Sequence, residues 1–136
     1  MISTRTLLCV LNFPEDLYTL ETALSTDFSI ENVSDPFVAL RKVTNNYQIK
    51  AVVVDEELLH MPALEFLEML QRLRPSVFRI VLTSDMHTLS SDLIHASQMQ
   101  IMRPVKATHV SGLESQIDHH FYTSSFKTEK DIQPLS

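Results

Sequence analysis

Ala51-Val52-Val53-Val54-Asp55-Glu56-Glu57 is the stretch that decides the fold: four apolar residues, three of them β-branched, cut off by three acids. A run this short and this branched, with no polar alternation, reads as a strand covered on both faces, the signature of a parallel sheet flanked by helices. Its abrupt end puts Asp55 at the carboxyl end of the strand, where open parallel sheets gather their ligands and reactive groups.

The surrounding chain repeats the pattern. Thr6 to Leu11 and Ile80 to Leu82 are also nearly all apolar and read as central strands. Phe28 to Val33 is more polar and Met99 to Met102 is short, so both read as strands nearer the edges. Helix-period segments lie between them: Pro14 to Leu24, a second opening at Pro36 with Ser34 as its cap, Ala63 to Leu73, about Leu89 to Ser97, and about His109 to Phe121. The order is (βα) five times. It predicts a doubly wound, five-stranded parallel sheet in a three-layer α/β sandwich.

Composition bounds the function. At 136 residues the chain holds one domain, expected over 1–121, and the polar, aperiodic 122–136 reads as a tail or linker. No apolar stretch approaches the length of a membrane span, and a formal net charge of -6 disfavours direct nucleic-acid binding. Cys9, the one cysteine, can form neither an internal disulfide nor a thiolate pair, and its place in an apolar run makes it a buried, inert thiol. With no signal-peptide pattern at Met1 to Thr6, a cytoplasmic location is expected.

The residues that follow the strands are the candidates for chemistry: Leu11, Asn12 and Phe13; Asp55, Glu56 and Glu57; Thr83 and Ser84; Arg103 and Pro104. One carboxylate, one hydroxyl and one cation converge there. Over about Thr6 to Phe121 this order resembles the response-regulator receiver domains of two-component signalling, which have a flavodoxin-like fold. Leu8-Cys9-Val10 followed by Pro14 is similar to the family's first strand and opening loop. Val52-Val53-Val54-Asp55 with Met61 and Leu64-Glu65-Phe66-Leu67 is similar to its third strand, phosphoacceptor aspartate and next helix. Arg79-Ile80-Val81-Leu82-Thr83-Ser84 resembles strand four with its switch hydroxyl, and Arg103-Pro104 falls where the family has Lys-Pro joined by a cis peptide bond. The wording from Phe66 to Thr83 is most similar to receivers joined to metal-dependent phosphohydrolase-type output domains.

The departures matter as much. Leu11 and Asn12 stand where the resemblance implies an acidic pair that holds magnesium, Leu59 and Ala63 where the family has Pro and Gly, and Gln100 near its aromatic switch position. Leu11 supplies no oxygen and Asn12 only a neutral amide. The implied metal set of Asn12, Asp55 and Glu57 is therefore weak, and the cofactor expectation is none or weakly bound Mg2+. Glu57 more simply faces solvent. Arg for Lys favours a forked contact, so a standing Arg103–Asp55 pair is expected. Thr83 either bonds Asp55 or its phosphate, or serves only its local backbone.

His60, His87, His95 and His109 lack paired ligand spacing and read as surface residues, and the adjacent His119 and His120 diverge by about 100° on a helix, too far apart to chelate one ion. Met86, Met99 and Met102 read as core filling. No glycine-rich phosphate loop or nucleophile elbow occurs.

The leading functional expectation is a non-enzymatic signalling module working through protein contact, with a histidine kinase or phosphotransfer protein, an output domain or partner, or a second copy as possible partners. The alternative is a working phosphoacceptor charged on Asp55 by a histidine kinase with weak Mg2+ binding. A third class, a small enzyme on the same fold, would require a cofactor or a sizeable polar pocket at the strand ends.

Overall fold

The computed structural model describes residues 5–132, with side chains through residue 122. Five strands, β1 (Thr6–Val10), β2 (Ser29–Asn32), β3 (Ile49–Asp55), β4 (Phe78–Thr83) and β5 (Met99–Met102), alternate with α1 (Pro14–Leu24), α2 (Pro36–Asn45), α3 (Ala63–Leu73), α4 (Ser91–Ala96) and α5 (Leu113–Ile132). All strand pairs are parallel, in the order β2-β1-β3-β4-β5, so the more polar run and the short one lie at the edges, as expected.

The sheet divides two apolar clusters, and alternate residues of the same strand feed each. Leu8, Val10, Val52, Val54 and Val81 face α2, α3 and α4, packing on Leu40, Val43, Phe66, Leu67, Leu70 and Leu93. Leu7, Cys9, Ala51, Val53, Ile80 and Leu82 face α1 and α5, packing on Leu20, Leu24, Leu113 and Ile117. Both faces are dry, which is why these strands show no polar alternation. Cys9 is fully buried and burial pushes its thiol up to about 12, as an inert core residue requires.

Helices α1 and α3 have the bounds their sequence predicts. The others differ for local reasons. Asp35, not Ser34, caps α2: Pro36 fills the first helical position and the Asp35 side chain accepts from the Phe37 amide at 2.8 Å. Ser90 caps α4 through the Leu93 amide, so Leu89 stays outside that helix as a buried loop residue. His109 belongs to a separate 3-10 turn, Ala107–Val110, and its ring accepts from the Lys106 amide. Gly112, at φ +79, then lets the chain enter α5, a backbone turn that a side chain would strain. Helix α5 continues to Ile132, so 122–132, read from sequence as aperiodic, is helical; 133–136 of that stretch and 1–4 lie outside the described residues. Among the described residues, no helix is long and apolar enough to cross a membrane.

Candidate functional site

Parallel strands deliver their last residues to one edge of the sheet, and β3 delivers Asp55 there with only 3% of its surface exposed. Its Oδ1 accepts from the Glu57 amide at 3.0 Å, while its buried Oδ2 has no hydrogen-bond partner among the described residues. Burial therefore raises the carboxyl above the ordinary aspartate value, with the Glu57 amide and the Arg103 charge only partly opposing it.

Arg103 comes from the end of β5, anchored by its amide to the Thr83 carbonyl and joined to Pro104 by a cis peptide bond, as expected from the resemblance. Its guanidinium lies against the Phe13 ring, 3.6 Å from the centroid. The forked contact with Asp55 is not formed: Nε stands 3.8 Å from Asp55 Oδ2, an ion pair without a hydrogen bond. Arg103 Nε instead donates to Asp16 Oδ2 at 2.6 Å, and Asp16 Oδ1 accepts from the Val105 amide at 3.0 Å. Asp16 is 1% exposed, in the first turn of α1, where an acid also suits the helix dipole.

Sequence reading missed Asp16, although the signal was present. It lies four residues before Leu20 and eight before Leu24, on the same buried stripe, so its acid was bound to face the interior and to need a partner.

Thr83 is fully buried at the end of β4, yet it does not bond Asp55. Its hydroxyl donates to Glu56 Oε1 at 2.5 Å and accepts from the Asp85 amide at 3.1 Å. Glu56 is half-buried by this contact rather than facing solvent. Asn12 turns its amide nitrogen to the Glu57 carbonyl at 2.8 Å, and the Glu57 side chain is exposed, as expected. Among the described residues, no three His, Cys, Asp or Glu side chains group closely enough to hold a metal ion. His60, His87 and His95 are exposed, each on a different loop or helix. His120 packs against the Phe78 and Phe121 rings, and burial together with the Arg79 charge lowers its imidazole below the usual histidine range.

The Asp55 oxygen that lacks a hydrogen bond carries a stability prediction. The unfolded carboxyl ionises at its ordinary value and the folded one at a higher value. Rising pH across that interval therefore favours the unfolded chain, and the penalty remains in full above it. Asp55→Asn removes the charge at nearly constant volume and is expected to stabilise the domain by about 1 kcal/mol near neutrality. Urea unfolding of both proteins checks this: the gain should be present at about pH 7 and fade by about pH 3, below the ordinary aspartate value.

No family model matches the chain, and no curated protein matches it. Solved structures do. A response regulator receiver domain from Methanospirillum hungatei superimposes with a TM-score of 0.67 at 20% identity, covering 88% of this chain and 97% of that one. The signal receiver domain of an HD domain-containing protein from Pseudomonas fluorescens gives a TM-score of 0.75 at 20% identity, covering 92% and 95%. The receiver domain of a sensor histidine kinase from Pseudomonas aeruginosa, with a magnesium ion coordinated in its active site cleft, gives 0.67 at 18% identity, covering 82% and 95%. This chain has the receiver-domain fold.

Proposed function

We propose that this chain is a receiver-like domain of a two-component response regulator that signals through protein contact without metal-dependent phosphorylation of Asp55. The observation that carries this reading is the loss of the acids a cation would need. Magnesium asks for several oxygen ligands in near-octahedral order. Beside Asp55, Leu11 offers none, and Asn12 presents its amide nitrogen to Glu57 rather than an oxygen to the site. Asp16, the other buried acid nearby, spends both oxygens on Arg103 and Val105. Glu57 is exposed and Glu56 is held by Thr83. These residues do not fit a divalent cation, and the Arg103 guanidinium supplies the positive charge near Asp55 in its place.

In this reading Asp55 is a retained acceptor position, and the output is a surface offered to a partner: an output domain, a phosphotransfer protein or histidine kinase, or a second copy in a homodimer. The cytoplasm is the corresponding location. The HD domain-containing neighbour accords with the likeness of Phe66 to Thr83 to receivers joined to metal-dependent phosphohydrolase-type output domains.

One observation favours a second reading, a working phosphoacceptor. Asp55 Oδ2 has no hydrogen-bond partner among the described residues, as a nucleophilic oxygen awaiting a phosphoryl group would be. Exposure to an acyl phosphate with magnesium, followed by intact mass, separates the two. Wild type is expected to gain no phosphoryl group; a gain that disappears in Asp55→Asn would establish the second reading.

A further inference from the structure

We infer that α5 carries a proton-operated latch: His120, packed on the sheet without a proton at Nε2, holds Asp118 to Tyr122 in place, and mild acid releases them. The latch lies against Phe78, which opens β4, whereas Asp55 closes β3 at the other edge of the sheet. It therefore stands apart from any phosphorylation.

One ring nitrogen of His120 donates to the Ser76 backbone, while the buried Nε2 has no hydrogen-bond partner among the described residues. A neutral imidazole has one donor and one acceptor nitrogen, so the seated ring is the neutral tautomer with a bare lone pair at Nε2. A proton added there becomes a buried donor without an acceptor, and brings a buried charge. The ring's neighbours do nothing to solvate it: Phe78 meets it edge-on at 5.4 Å between centroids, and Phe121 at 5.9 Å.

The charges packed around the ring also oppose a further cation. Arg79, from β4, is 4% exposed, and among the described residues its guanidinium bonds only the carbonyls of Ala96 at 2.9 Å and Val77 at 3.3 Å. Lys50, from β3, stands over the Phe121 ring at 5.1 Å. On α5 itself the flanking titratable groups are the exposed His119 and Asp118, the latter bound to Arg5. Burial and the Arg79 charge hold the seated ring below the ordinary histidine value, and the Ser76 bond opposes them only in part. Earlier in the helix, the Arg5 bond keeps Glu114 below the usual carboxylate range, so that clamp stays charged while the ring titrates. Asp27, pushed up by its hydrogen bond to Glu114, meets α5 there and not at the ring.

A released ring takes up a proton near the ordinary value of 6.5, and the seated ring only below it. Docking is thus fully supported above that value, weakens as pH falls to the seated value, and weakens no further beneath it. A cavity of about 500 Å³ lined by Phe78, Gln98, Ser115, Gln116, His119 and His120 opens beside the ring and gives water a route to it once the helix lifts. Leu113 and Ile117 are buried in the preceding turns and keep that part of α5 seated. Because the helix continues to Ile132, release changes its direction beyond Tyr122.

Amide hydrogen exchange and histidine ring NMR of the whole chain, from about pH 7.5 to about pH 5, test the inference. Protection at Asp118 to Tyr122, corrected for intrinsic exchange rates, is expected to fall by up to about tenfold for each unit by which the seated ring titrates below a released one. His120→Gln should abolish this pH dependence, and His119→Gln should keep it. Protection that ignores pH, a His120 ring that titrates together with the exposed His95, a pH dependence that survives in His120→Gln, or one lost in His119→Gln would each overturn the inference. Should His120→Gln fail to fold, wild type alone decides: ring titration and loss of protection must occupy the same pH interval, and separate intervals refute the latch.

Discussion

Asp16→Ala is expected to lower the stability of the domain by about 3 kcal/mol, a cost typical of removing one partner from a buried ion pair. The loss has two sources. The Val105 amide loses its acceptor, and the Arg103 guanidinium, one-fifth exposed, is left over the Phe13 ring with only the longer contact to Asp55. Asp16→Asn keeps an oxygen for Val105 and discards the charge, so it should cost about half as much. Pairing Asp16→Ala with Arg103→Met should recover part of the loss, because the orphaned cation is then gone. Urea denaturation of the four proteins decides the matter, and a loss below about 1 kcal/mol for Asp16→Ala would mean that the pair is not structural.

Arg74→Ala should be comparably damaging, at about 3 kcal/mol. The Arg74 guanidinium is buried and donates to the carbonyls of Val43, Asn46 and Ile49 at 3.0, 3.1 and 3.1 Å, while stacking on Tyr47. Two of those carbonyls end α2 or follow it, where a helix leaves acceptors without intrahelical donors, and the third opens β3. A single side chain from the end of α3 therefore closes the helix-to-strand connection that leads to Asp55. Burial lowers this arginine below its ordinary value, which records the cost of placing the charge there. Arg74→Lys should rescue little, since an ammonium on a single-chain stem cannot reproduce the spread of a planar fork. Thermal unfolding that leaves Arg74→Lys at the wild-type midpoint would contradict this account.

These two residues also mark the boundary of what the sequence makes legible. Branched apolar runs covered on both faces identify β1, β3 and β4 without further information, and Pro14 together with Pro75 brackets α1 and α3 closely enough to place their ends. Asp55, Thr83 and Arg103 are readable because each directly follows or ends a strand. Their bonding partners are not readable in the same way. Arg103 and Asp16 stand 87 residues apart in sequence, and only the packing of α1 against the end of β5 brings them together. Arg103 Nε stands 2.6 Å from Asp16 and 3.8 Å from Asp55, a preference that no local pattern encodes. Glu56 shows the same limit: a Glu-Glu pair after a strand reads as solvated, and the contact with Thr83 appears only once β3 and β4 are in register. The late start of α4 and the glycine turn before α5 are smaller misses, each decided by one capping or positive-φ residue.

The two-sided burial of the sheet has a further consequence. In a strand with one wet face, sliding the chain by one residue exposes its apolar set and is punished at once. Here both faces are apolar, so hydrophobicity alone is nearly indifferent to such a slip: Leu7, Leu8, Cys9 and Val10 would trade clusters with only a change of shape. The polar residues at the strand ends supply the missing information. A one-residue shift of β3 would draw Asp55 into the sheet and pull Glu56 off Thr83, and a shift of β5 would separate Arg103 from Asp16. The groups that give the domain its chemistry are thus also the markers by which its strands find their alignment. Drift in the site toward apolar residues would erode the uniqueness of the fold.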